Sequence, residues 1–188
     1  LALQPNHLMA LKKLETLHPD KARRAEIRAR IAEALSDARA AASMHLAALR
    51  DREAAGLQAE VSELRRAAEL TPDDPRVAGA YERVLRQSGD WTNLAVWLER
   101  RVAGGAPESL GALRLRLGEV YEWRLGHLER ALGCYRAVLE TEPAHLAALA
   151  AARRLLVRRG EHAEVFKLLT SEGRAARDAT TAIAAFLA

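Results

Sequence analysis

The chain has a single cysteine, Cys134, so it can form neither an internal disulfide nor a cysteine-based zinc site, and the cysteine count leaves its compartment open. Aromatic residues are only 4% of the sequence, and methionine occurs only at Met9 and Met44. So few aromatic side chains leave a sheet poorly packed, whereas the abundant Ala and Leu suit close helix packing. Lysine is confined to Lys12, Lys13, Lys21 and Lys167, and the formal net charge is +4. This arginine and alanine bias fits a GC-rich bacterial genome. A nucleic-acid surface would need the charge gathered on one face, and no nucleic acid is expected as a partner. No apolar run reaches the roughly 18 residues that span a bilayer, and the stretch from Leu1 to Met9 lacks the pattern of a signal peptide.

Motifs that carry chemistry are missing too. There is no Gly-x4-Gly-Lys, no Gly-x-Gly-x-x-Gly, no His-Glu-x-x-His and no Gly-x-Ser-x-Gly. The six histidines are scattered, mostly near expected turns, and read as surface or turn polarity. Cys134 stands beside Tyr135 and reads as a small, semi-buried packing residue. The acids Asp73 and Asp74, and Glu140 with Glu142, fall at helix ends, where capping and the helix dipole account for them. No catalytic residue, metal ligand or cofactor is expected, and the chain is read as a non-enzyme.

What is present is helical periodicity in a chain of 188 residues that is 49% hydrophobic, enough for a substantial core. Leu8, Leu11, Leu14 and Leu17 recur at helical spacing, with Pro19 expected to open the next helix and Ile27, Ile31, Ala34 and Leu35 as its inner face. Later stripes are Met44, Ala47 and Ala48; Val61, Leu64, Ala67 and Ala68; Ala78, Tyr81, Val84 and Leu85; and Leu94, Trp97, Leu98 and Val102. The last are Leu146, Leu149, Ala152, Leu155 and Leu156, then Val165, Phe166, Leu168 and Leu169. Turns are expected at Gly56, Gly89, Gly126 and Gly160, and the stretch 104–107 reads as the most flexible point. Pro72, Pro107 and Pro143 are separated by 35 and 36 residues. These marks divide the chain into helix pairs at 8–40, 41–74, 75–109, 110–145 and 146–179, with partial units at 1–7 and 180–188. Both ends are therefore expected to fall inside a repeat of a longer array. Of the aromatics, Tyr81, Trp97, Tyr121, Tyr135 and Phe166 take packing positions, while Trp91 and Trp123 lie near turns.

Between 111 and 143, the residues Leu117, Gly118, Tyr121, Ala131, Tyr135 and Pro143 have spacings that resemble the tetratricopeptide (TPR) repeat, with its Leu-Gly-x2-Tyr, Ala-x3-Phe and closing Pro. Gly in mid-helix costs roughly 1 kcal/mol relative to Ala, so Gly118 implies that another helix backbone crosses close to it. Arg114 occupies the position of the family's Trp, and the turn from Trp123 to His127 is one residue longer than usual. The resemblance implies an all-α fold, an α-solenoid of stacked antiparallel helix pairs in a right-handed superhelix, whose first helices line a concave groove. By phase that groove carries Arg76, Arg83, Arg86, Arg116, Glu119, Glu122, Arg154 and Arg158, and its mostly basic character points to an acidic peptide or protein partner. The implied function is a non-catalytic protein-interaction scaffold. A regulatory or substrate-docking segment of a larger bacterial enzyme or sensor is the alternative, and self-association through Ile183 and Phe186 is a further expectation. Asparagine occurs only at Asn6 and Asn93, which argues against the carboxylate clamp of chaperone-tail binders.

Overall fold

The computed structural model describes residues 7–105 and 110–175, and every regular element among them is helical. The chain divides into two compact units, Leu1–Asp90 and Trp91–Ala188. The helix pair expected at 75–109 begins in one and ends in the other. The expected flexible stretch at 104–107 lies partly outside the described residues, as do the partial units at either end apart from His7.

The first unit holds α1 (Leu8–Leu17), α2 (Lys21–Ala34), α3 (Ala38–Ala54), α4 (Val61–Leu70) and α5 (Pro75–Ser88). Three of these start on an aspartate. Asp20 accepts from the Ala22 N–H at 3.1 Å, Asp37 from Ala40 at 2.6 Å and Asp74 from Arg76 at 2.9 Å. Each carboxylate satisfies a backbone N–H that has no partner within the helix. Pro19 therefore precedes the cap of α2 and does not open the helix, whereas Pro75 does occupy the start of α5. Leu11, Ile27 and Ile31 form a buried cluster flanked by Leu8, Leu35 and Met44, while Leu14 and Leu17 of the expected stripe stay exposed. Further along, Ala41, Ala48, Ala67 and Ala68 are buried, small side chains that let helices approach closely, and Gly89 ends α5 in the left-handed region at φ 73°.

The second unit holds α6 (Trp91–Ala103), α7 (Leu110–Val120), a π-helical turn (Tyr121–Leu125), α8 (Leu128–Thr141), α9 (Leu146–Arg159) and α10 (His162–Ala175). The surplus residue of the long turn is taken up inside the helix, because a π turn spaces its hydrogen bonds one residue wider than an α turn. Gly126 at φ 69° then reverses the chain, and the His127 N–H donates to the Tyr121 carbonyl at 2.8 Å. At Gly118 the close neighbour is a ring and not a helix backbone: a Cβ there would stand 2.5 Å from Cε1 of Tyr135. Arg114, in the place of the family's Trp, is half-buried and donates from Nη1 to the Ala137 carbonyl at 2.9 Å, tying α7 to α8 by a polar contact. Phe166 departs from expectation. It is 70% exposed, because Val165, Leu168 and Leu169 form the half-buried stripe of α10 and Phe166 stands one residue out of phase with it.

Three of the helical glycines, Gly79, Gly118 and Gly133, lie in different surroundings. At Gly79 and Gly133 a Cβ would meet nothing within 4 Å, so Gly79→Ala and Gly133→Ala are each expected to stabilise the chain by about 0.5–1 kcal/mol through helix propensity. Gly118→Ala is expected to be net destabilising, since overpacking by roughly 1–3 kcal/mol against the fully buried Tyr135 outweighs the same propensity gain. Urea unfolding of the three variants checks the sign of each.

Candidate partner-binding surface

The eight residues expected along the groove fall into two sets, one in each unit, and Glu122 is a correction to that expectation because it is buried. In the first unit Arg76 folds back on the helix cap, its guanidinium donating to Asp74 at 3.2 and 2.8 Å. Arg83 pairs with Glu53 of α3 at 2.5 Å, and Arg86 lies 3.6 Å from the buried Glu82 one turn earlier. Asp74 is held down to about 2, first by the hydrogen bond from the Arg76 side chain. These arginines therefore spend much of their charge on carboxylates of their own chain.

In the second unit Arg116 is half-buried with partners of its own, whereas Glu119 and Arg158 are exposed. Arg154 is the organising residue. Its Nε and Nη2 donate to the two carboxylate oxygens of Glu122 at 2.8 and 2.7 Å, and the Tyr135 hydroxyl donates to the same carboxylate at 2.8 Å. The Glu122 side chain is 0% exposed against 41% for that of Arg154. Burial alone would push Glu122 up, but the bonds from Arg154 and Tyr135 prevail and leave it below the usual carboxylate range. Burial, then Glu122, pushes the Tyr135 hydroxyl up, so it remains a donor.

The π turn distributes its side chains to three helices. Tyr121 donates to Glu99 of α6 and receives a bond from Arg130 of α8 at 3.2 Å. Trp123 lies with the Arg154 guanidinium 4.8 Å from its ring centroid, and Arg124 sits 4.3 Å above the ring of Trp91. Of the two turn-proximal tryptophans, Trp91 is half-buried and Trp123 is 61% exposed. Tyr81, Trp97, Tyr121 and Tyr135 are buried, as their packing positions imply.

A second buried carboxylate has no counterpart in the expected set. Asp51 of α3 receives Arg24 of α2 at 2.8 and 2.7 Å and Arg28 at 2.8 Å, and Arg28 also donates to Glu15 of α1 at 2.8 Å. The Arg24 bond, foremost, holds Asp51 below its ordinary value. Its signal in the sequence is phase, since Asp51 continues the spacing of Met44 and Ala48 on the inner side of α3. His45 corrects the reading of the histidines as surface or turn polarity: it is 2% exposed on α3, and neither ring nitrogen has a partner among the described residues. Burial, then Arg66, lowers its pKa, with Glu33 opposing. Cys134 is half-buried, and burial pushes its thiol up to about 11, away from nucleophilic chemistry at neutral pH. No cluster of three metal-ligating side chains occurs among the described residues, and no helix among them is long and apolar enough to cross a membrane.

No protein-family model matches the chain, and no curated protein matches it in sequence. Solved structures do match it. It is similar to YrrB, described as a TPR protein with an unusual peptide-binding site, at 18% identity over 96% of this chain and 90% of that one, with a TM-score of 0.54. It is similar to the MamA protein at 14% identity over 89% of each chain, with a TM-score of 0.52. A MamA structure designated MSR-1 matches at 20% identity over 89% of this chain and 95% of that one, with a TM-score of 0.51. The fold is that of the TPR-like helical repeat, an all-α solenoid.

Two stability outcomes follow from the buried charges. Removing Arg154 strands the Glu122 carboxylate, so Arg154→Ala is expected to destabilise the chain by about 2–4 kcal/mol, and Glu122→Gln with Arg154→Met by less than the sum of the single changes, as measured by urea unfolding. Asp51 and Glu122 titrate lower when folded, so the stability they supply is complete above their ordinary values of 3.8 and 4.5 and is lost as pH falls through the lowered ones. His45 also titrates lower when folded. The unfolded chain then binds more protons, so stability starts to decline at a higher pH, as it falls below the ordinary 6.5. Urea midpoints from neutral to mildly acidic pH are expected to show this upper step, and His45→Leu is expected to remove it while leaving the carboxylate step in place.

Proposed function

We propose that the chain is a non-catalytic protein-interaction scaffold that holds a partner protein or peptide on the outward sides of its first helices, and that this partner is acidic. The observation that carries the reading is the TPR-like fold itself, two-helix units that bury one side and leave the other to a partner. The peptide-binding site attributed to YrrB supports a peptide as the kind of partner. The acidic preference draws its main support from Arg158, exposed on a first helix of the second unit, and less from Arg83, which is exposed on a first helix of the first unit but already paired with Glu53. Arginine's planar fork matches carboxylates in two-point contact. The helix pairs at 8–40, 41–74, 75–109, 110–145 and 146–179 are its proposed repeat units.

Peptide-library capture at low salt tests this. The chain is expected to retain acidic sequences over neutral and basic ones, with binding that weakens as salt rises, because exposed charges are screened. Arg83→Glu combined with Arg158→Glu is expected to lower affinity severalfold. Arg154→Glu is unsuitable for this purpose, since it places a second carboxylate against buried Glu122. Unchanged affinity in the double variant removes the acidic preference, and a chain that retains no peptide of any class overturns the scaffold reading.

A further inference from the structure

We infer that Trp123, seated on Arg154, is the anchor of a docking surface for an acidic peptide segment that presents an apolar side chain beside a carboxylate. This deepens the scaffold reading and rests on it. The chain buries Tyr81, Trp97, Tyr121 and Tyr135 yet leaves Trp123, in the π turn that follows α7, 61% exposed. Trp is the side chain most often found at the energetic centre of protein interfaces, because a rigid, amphipathic ring contributes a large contact area for little lost freedom.

The anchor is supported from below. The Arg154 guanidinium lies 4.8 Å from the ring centroid, and its Nε and Nη2 are already bound by Glu122, whose own side chain is buried and held by Tyr135. Arg154 therefore acts as a fixed floor under one side of the indole, and little ordering remains to be done on binding. The exposed part of the ring is left to an apolar side chain. Two further cations of this region have no ion-pair partner among the described residues: Arg124, next in the chain and lying over Trp91, and Arg158, one turn beyond Arg154 on α9 and near enough to help hold Glu122 low. Glu119, exposed a turn earlier on α7, opposes a carboxylate on its own side. The peptide's acid is thus directed away from α7, toward Arg158 on α9, and a basic peptide is repelled.

Fluorescence anisotropy with labelled peptides pairing Asp or Glu with Leu, Phe or Trp, and with their Asn and Gln counterparts, tests the anchor. The acidic-apolar peptides are expected to bind the full chain. Trp123→Ala is expected to weaken them by about tenfold or more, Trp123→Phe by less, and Arg158→Glu by severalfold at low salt, while Arg83→Glu in the other unit leaves them unchanged. Circular dichroism and urea midpoints verify that each variant is folded; Trp123 is exposed, so its loss leaves the core intact. Equal binding by Trp123→Ala and the parent chain overturns the anchor while the scaffold reading stands. Binding of the Asn and Gln counterparts as tightly as the acidic peptides overturns the acidic occupant. If none of the peptides binds, the anchor falls, and the broader library decides the scaffold reading separately.

Discussion

A carboxylate taken out of water and answered by arginine from a neighbouring helix is the constraint on which each unit depends. Glu122 with Arg154 and Tyr135 in the second unit, and Asp51 with Arg24 and Arg28 in the first, are groups in which removing the arginines leaves a buried carboxylate without its counter-charge. Alanine and leucine supply the driving force for burial, but such surfaces slide: many helix registers bury nearly the same apolar area. A two-point guanidinium contact favours the register that keeps both of its bonds. The apolar stripes thus explain why the helices stack, and the clamps explain why they stack in one arrangement.

The same constraint changes the meaning of the arginine-rich first helices. Read from phase alone, Arg76, Arg83, Arg86, Arg116, Arg154 and Arg158 form a basic strip. In the folded chain Arg76, Arg83, Arg86 and Arg154 are engaged with Asp74, Glu53, Glu82 and Glu122. What a partner would meet is the remainder, chiefly Arg158 and Arg124, set beside an exposed indole.

The helical class, the glycine turns at Gly89, Gly126 and Gly160, and the close approach at Gly118 were legible in the sequence because each depends on residues close together in the chain or on a repeated spacing. The neighbour at Gly118 was misjudged as backbone because a repeat pattern encodes that space is short, not what fills it. Phe166 was misplaced since hydrophobicity alone does not fix phase when Val165, Leu168 and Leu169 supply a complete stripe without it. The clamps are not legible in the sequence for a different reason. Asp51 and Arg24, or Glu122 and Arg154, lie 27 and 32 residues apart, and a charge at an inward position is visible in sequence only as an anomaly with no partner attached. His45 is such an anomaly, a polar ring at an inward position of α3.

The lone thiol of Cys134 has a use that follows from its surroundings. With its thiol pushed up to about 11 and the side chain half-covered on α8, little thiolate is present at neutral pH, and reaction quickens when that helix loosens and uncovers it. The speed of alkylation then gauges how often this part of the second unit opens while the remainder of the chain stays folded. A native chain with one such sulfur carries its own probe of local breathing, with no label introduced and no competing thiol to subtract.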